Sequence, residues 1–250
     1  MIKQEVNDLE IIRLTRPRFT LANRAAAAVL RELNDPPPPI PLHEFIKRRG
    51  WEIIFSELYG PDGGMVKITY KNRSKYYIFL ATDIKIGTSS VASDEIIKRR
   101  QLYTLAHELG HILLHGSFLA NSHEFADLAP QTASYMEIEA NWFASRLLMP
   151  NYIFTNITDL VPQYLADKCG VNLTPAQKRL KTLDPNIRNS LVLSAGFKRK
   201  VPLTTRLLYI CEKCSHIYTE KTIWEPLCAK CNGKLVDASS LVSTISEQIS

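Results

Sequence analysis

The sequence predicts an α+β protein: a small antiparallel three-stranded sheet packed with helices, then a helical extension, then a small β module. Three observations carry this. Residues 51–81 read as three short strands separated by turn residues. The stretches around 93–115 and 135–148 repeat apolar residues at helical spacing. Four of the five cysteines fall in two Cys-x-x-Cys pairs near the C-terminus.

The elements follow in order. Residues 19–33 have helical composition, with Ala25 to Ala28 and Leu30 forming an apolar face, and Pro36 to Pro39 end the helix and predict a stiff connector. Leu42 to Arg49 predict a short helix closed by Gly50. The strands are Trp51–Leu58, Met65–Tyr70 and Tyr76–Ala81, a meander joined by Pro61-Asp62-Gly63-Gly64 and Lys71-Asn72-Arg73-Ser74. Leu102, Leu105, Leu109, Ile112 and Leu113 predict a helix from Ser93 to about His115, and a second runs from about Tyr135 to Leu148, stopping at Met149-Pro150. The expected divisions are an N-terminal segment 1–40, a core 41–160, a basic helical extension 161–204, a cysteine module 205–240 and a tail 241–250.

Composition excludes several classes. At 250 residues, 45% hydrophobic and 22% charged, the chain is long enough for a core without disulfides and too apolar for wholesale disorder. The longest apolar run, Ala25 to Leu30, is far short of a membrane span, and the first residues lack a signal-peptide core. A cytoplasmic location is the default. In that reducing setting the paired cysteines point to metal rather than disulfides.

The chemistry-bearing motif is His107-Glu108-Leu109-Gly110-His111, an H-E-x-x-H inside the first predicted long helix. Residues i and i+4 share a helix face, so both imidazoles can reach one zinc ion. Glu108, turned about 100° from His107, stays off the metal but near a water on it, where it can act as general base. The third ligand sets the subclass. A metzincin continuation needs glycine and histidine where Leu114 and Ser117 stand. His115 lies about 12 Å along the axis from His107, too far to share a metal on a straight helix, and reads as a supporting residue. That leaves a carboxylate on the next helix. Its stripe of Ala140, Phe143, Ala144, Leu147 and Leu148 places Glu137 about 50° from the stripe's centre and Glu139 about 110° away. Glu137 is thus the expected ligand and Glu139 a solvated residue, with Asn141 placed to orient a ligating histidine.

Thr104-Leu-Ala-His-Glu-Leu-Gly-His-Ile-Leu-Leu-His115 followed by Glu137-Ile-Glu-Ala-Asn-Trp-Phe-Ala-Ser-Arg-Leu-Leu-Met-Pro150 resembles the ImmA/IrrE group of bacterial and phage metallopeptidases. The resemblance covers about residues 20–185. It implies a zincin-like catalytic domain, zinc ligands at His107, His111 and Glu137, and the general base at Glu108. It also implies a protein substrate, typically a helix-turn-helix repressor of a phage or mobile element, that is cleaved or otherwise inactivated. A non-cleaving regulator, an antirepressor or a toxin–antitoxin component is the competing expectation.

Cys211, Cys214, Cys228 and Cys231 predict a second, structural zinc in a ribbon, so two ions are expected. Leu165 to Leu180 have a helix-glycine-helix outline, with Cys169 as a small buried residue. Residues 178–206 hold eight of the basic side chains and one acid, enough to account for the formal net charge of +6. That segment reads either as a solvated linker or as a nucleic-acid contact.

Overall fold

The computed structural model describes residues 14–71, 73–86, 90–91, 93–116, 130–195, 208–218 and 227–241. Helices α1 (Phe19–Glu32) and α2 (Leu42–Arg48) precede strands β1 (Glu52–Ser56), β2 (Gly63–Tyr70) and β3 (Arg73–Ala81). The two-residue strands β4 (Lys85–Ile86) and β5 (Ser90–Val91) lead into α3 (Asp94–His115) and α4 (Pro130–Leu148). Then come α5 (Pro162–Cys169), α6 (Leu173–Lys181) and α7 (Pro185–Ser194), and finally β6 (Tyr209–Cys211), β7 (Ile217–Tyr218) and β8 (Leu235–Asp237).

The α+β class holds, but the first sheet is not an antiparallel meander. Its order is β1-β3-β2: β2 pairs with β3 antiparallel, and β1 pairs with β3 parallel, Ile54 opposite Phe79. The reason lies in β3, whose Tyr76, Ile78 and Leu80 are buried while Tyr77 and Phe79 on the other face are half-buried. A strand apolar on both faces belongs in the middle. The linker after β1 leaves the gap into which β3 inserts, and Asp83 closes it by accepting from the Leu58 and Tyr59 amides at 3.0 Å each. The sheet's edges are therefore β1 and β2.

Two turn assignments also shorten. Gly63 and Gly64 are strand residues, paired with Leu80 and Phe79, and glycine is needed at 63, where a Cβ would lie 2.4 Å from Thr104 Cγ2. Arg73 and Ser74 pair with Tyr70 and Thr69, which makes the β2–β3 link a tight hairpin.

α3 and α4 form the centre. Leu105, Leu109 and Ile112 pack under the sheet, and the α4 stripe of Ala140, Phe143, Ala144, Leu147 and Leu148 is fully buried, as the spacing predicts. Gly110 lets the two helices meet: a Cβ there would sit 3.1 Å from both Ala140 Cα and Phe143 Cδ1. Phe143→Ala should destabilise the protein by about 3–5 kcal/mol, read as a shift in the denaturant midpoint, because it opens a cavity at this crossing.

α1 lies along another flank of α4. Trp142 Nε1 donates to Asn23 Oδ1 at 2.8 Å and its ring meets Phe19 at 4.4 Å. One hydrophobic cluster continues through Leu165, Cys169 and Ala176 to Leu208, Ile210, Ala238 and Leu241, so the cysteine module is built onto the same core. Asn156 stitches that joint. Its Nδ2 donates to Glu212 O at 3.0 Å, and its Oδ1 accepts from Ser215 Oγ at 2.9 Å.

Candidate metal centre

α3 carries His107 and His111 on one face, one turn apart, and the close crossing at Gly110 brings Glu137 of α4 opposite them. The Nε2 atoms of the two histidines are 3.0 Å apart. Glu137 Oε2 lies 3.3 Å from His107 Nε2, and Oε1 lies 3.1 Å from His111 Nε2. Donors about 2.0–2.1 Å from a tetrahedral zinc are about 3.3 Å from one another, so this N, N, O set suits zinc with one position left open. His107 and His111 sit inside the protein, whereas the Glu137 side chain is 57% exposed and forms the rim.

The charge distribution agrees. Hydrogen bonds to His107 and then His111 hold the Glu137 carboxyl well below the usual carboxylate range. Burial works against the charged form of His107, but Glu137, Glu108 and Asn141 outweigh it and raise its pKa. Glu108 is buried beside these groups, and desolvation pushes its carboxyl up against the pull of His111 and His107. A carboxylate that gains a proton readily at this place is suited to general base and then general acid work.

The supporting residues divide. Asn141 donates from Nδ2 to Glu137 O at 2.8 Å and favours the charged form of His107. His115 is fully buried, 3.2 Å through Nδ1 from His111 Nδ1, and 3.0 Å through Nε2 from Glu139 Oε2. Burial pushes His115 down to about 4, against the opposing pull of Glu139.

Glu139 is the main correction. It is 0% exposed rather than solvated, and Arg18 grips it from Nη2 at 2.8 Å. The helical wheel counted only the apolar stripe, yet α4 is covered on a second flank by α1 and the residues before it. Burial costs a paired carboxylate far less than a lone one. The wheel therefore selected Glu137 through a premise that does not hold, since the metal face is the exposed one. The signal that could have found Glu139 is a basic residue near α1, but nothing in sequence spacing ties Arg18 to a position 121 residues away.

The cysteines form a second cluster. All four Sγ atoms lie within 4.8 Å of one another, with Cys211–Cys231 at 3.4 Å and Cys214–Cys228 at 3.6 Å. A tetrahedral zinc with thiolates at about 2.3 Å separates its sulfurs by about 3.8 Å, so four sulfurs close the site. The two halves repeat one turn. Cys211 N donates to His216 O and Cys228 N to Gly233 O, at 2.9 and 2.8 Å. Ser215 and Asn232 each take a positive φ of 56° one residue past the second cysteine. Tyr218 Oη lies 3.3 Å from Cys228 Sγ and holds that thiol down to about 6. The three-stranded sheet β7-β6-β8 frames this zinc-ribbon geometry.

The basic segment is less basic than its composition. Arg179 is 0% exposed, donating from Nε to Met149 O at 2.8 Å and from Nη2 to Asn151 Oδ1 at 2.6 Å. Arg188 bonds Leu180 O. Lys198, Arg199, Lys200 and Arg206 lie outside the described residues. α5 and α6 turn at Gly170, whose φ is +63°, and Cys169 is buried as expected. No helix among the described residues is long and apolar enough to cross a membrane.

A helix bearing H-E-x-x-H, a facing glutamate one helix later and a small sheet above them define a zincin-like domain with a candidate metal centre. Residues 97–181, about a third of the chain, match the Peptidase_M78 model, described as an IrrE N-terminal-like domain, so this segment is similar to the ImmA/IrrE metallopeptidases that the motifs resemble. A Mycobacterium tuberculosis transcriptional regulator of known structure is similar at 15% identity and a TM-score of 0.43, over 80% of this chain and 54% of its own. This chain thus spans about half the length of that protein. No curated protein sequence matches. The ribbon lies outside the family-model segment.

Proposed function

We propose that this protein is a zinc-dependent endopeptidase that cuts a specific protein, a helix-turn-helix transcriptional repressor of a phage or mobile element. The carrying observation is the convergence of His107, His111 and Glu137 with a buried Glu108 beside them. Zinc bound by those three residues would supply the Lewis acidity that polarises a peptide carbonyl and acidifies a water. The chain's own residues do the rest. Glu108 takes the water's proton on its carboxylate and returns it to the leaving amine. Asn141 orients His107. Glu137, on the exposed rim, would hold the zinc where a substrate can reach it.

A substrate strand has a place to lie. β3 is the central strand, and β2 is the edge nearer the metal helix. Gly63 begins β2 against Thr104, one turn before His107 on α3. Among the described residues no strand pairs with the far side of β2. An extended peptide added there would hydrogen-bond its backbone to β2 and bring an amide over the metal face.

The ribbon zinc is structural in this reading, and the location cytoplasmic. The competing reading is a regulator that removes a repressor from DNA by binding alone. Mixing the zinc-loaded protein or its Glu108→Gln variant with the repressor encoded beside its gene, on operator DNA, separates the two. The endopeptidase reading expects release with discrete fragments from the parent protein only. Equal release by both, without fragments, would favour binding.

A further inference from the structure

Behind the metal face of His111 stands a row of hydrogen bonds that peptide hydrolysis does not directly use. Nε2 of His111 faces His107 and Glu137, at 3.0 and 3.1 Å. Its Nδ1 points the other way, 3.2 Å from His115 Nδ1. Nε2 of His115 is 3.0 Å from Glu139 Oε2. Arg18 ends the row. Its backbone N and Nε donate to Glu139 Oε1 at 2.6 and 2.9 Å, and its Nη2 donates to Oε2 at 2.8 Å. His115 and Glu139 are both 0% exposed, so water does not compete for these bonds.

The direction of every bond in the row follows from its end. A guanidinium is a donor only, and a carboxylate facing it is an acceptor only. His115 must therefore carry its proton on Nε2 to donate to Glu139. A neutral imidazole with that proton has a bare Nδ1, which accepts from His111. His111 then carries its proton on Nδ1, and its Nε2 is left bare. That is the atom aimed at His107 and Glu137, where a metal needs a lone pair. Reversing the row would put a proton on His111 Nε2 and block it.

We propose that Arg18, acting through Glu139 and His115, is a positioning residue that sets the ring tautomer of His111 and thereby the affinity of the site for zinc. The inference rests on the zinc reading of the site. It couples the metal to the residues just before α1, which are also tied to α4 by Leu14 N donating to Thr132 Oγ1 at 3.3 Å. The competing account is an ion pair that only fastens this segment to α4. Such a pair would change stability and leave the ring tautomers alone.

The test uses the full chain labelled with nitrogen-15 in its histidines. Long-range proton–nitrogen spectra of protein whose catalytic site has been emptied by chelation should show His111 protonated on Nδ1 and His115 on Nε2. The opposite tautomers in the parent protein would overturn the proposal without any variant. In Arg18→Met, His111 should shift towards the Nε2-protonated form. Catalytic-site zinc affinity, measured by chelator competition, should fall about ten- to a hundred-fold. The ribbon site should be unchanged, and Arg18→Lys, which keeps a donor against Glu139, should recover part of the loss. A variant that melts earlier but keeps both tautomers and its zinc affinity would reduce the row to a fastening. Failure of the zinc reading looks different: the parent itself would then bind metal only at the ribbon.

Discussion

Glu137→Ala is expected to lower the zinc content from about two ions per chain to about one while leaving the fold in place. The proposed site has three protein ligands, and the loss of Glu137 leaves two imidazole nitrogens 3.0 Å apart without the carboxylate that would offset a dication's charge. Hydrolysis should fall with the metal, by roughly a thousandfold or more, since a bound zinc supplies several kcal/mol of transition-state stabilisation. The variant is informative because the Glu137 side chain is 57% exposed. Its removal opens no cavity, and alanine is the stronger helix former. Compared with the parent after mild chelation has emptied the catalytic site, it should lose about 1 kcal/mol, from the carboxylate's contacts with His107 and His111, and stay folded. His111→Ala would be a poorer probe, because that ring is buried and bonded to His115. A Glu137→Ala protein that keeps both ions would show that another group completes the site.

Cys228→Ser should empty the ribbon and unfold it locally. Its strands are two or three residues long, too short to stand by pairing alone. The binding free energy of a structural zinc, about 10–16 kcal/mol in small zinc modules, is then the main term holding them. Unfolding would uncover the core where Leu208, Ile210, Ala238 and Leu241 join it. Limited proteolysis of the variant should therefore cut within 208–241 at a concentration that leaves the parent whole, and the zinc at His107, His111 and Glu137 should stay. Protection equal to that of the parent would mean that core packing, not metal, holds the ribbon.

What could be read from the sequence was local and periodic. The stripe of α4 and the i, i+4 histidines depend on one helix at a time, and both stand as expected. Glu137 was legible as a ligand candidate, although its exposure was not. What escaped depends on partners distant in sequence. Glu139 is buried because Arg18 and His115 receive it, and a helical wheel has no means to place either. Arg179 counted as surface charge until the carbonyl of Met149 and the amide of Asn151 took its donors. The strand order turned on β3 being apolar on both faces, a pattern visible in Tyr76 to Leu80 that the meander reading passed over. The ribbon was legible as a candidate metal site from two Cys-x-x-Cys pairs, but its fusion to the main core required the contacts of Leu208 and Ile210.

The most direct test of the central claim is mass spectrometry of the neighbouring repressor after incubation with zinc-loaded protein and, in parallel, with Glu108→Gln. Glutamine keeps the shape of the buried Glu108 and leaves the ligands untouched, but it cannot take a proton from water. The account predicts one new pair of termini with the parent protein and an intact repressor with the variant, at equal zinc content. A repressor left whole by both, or cut equally by both, would contradict it.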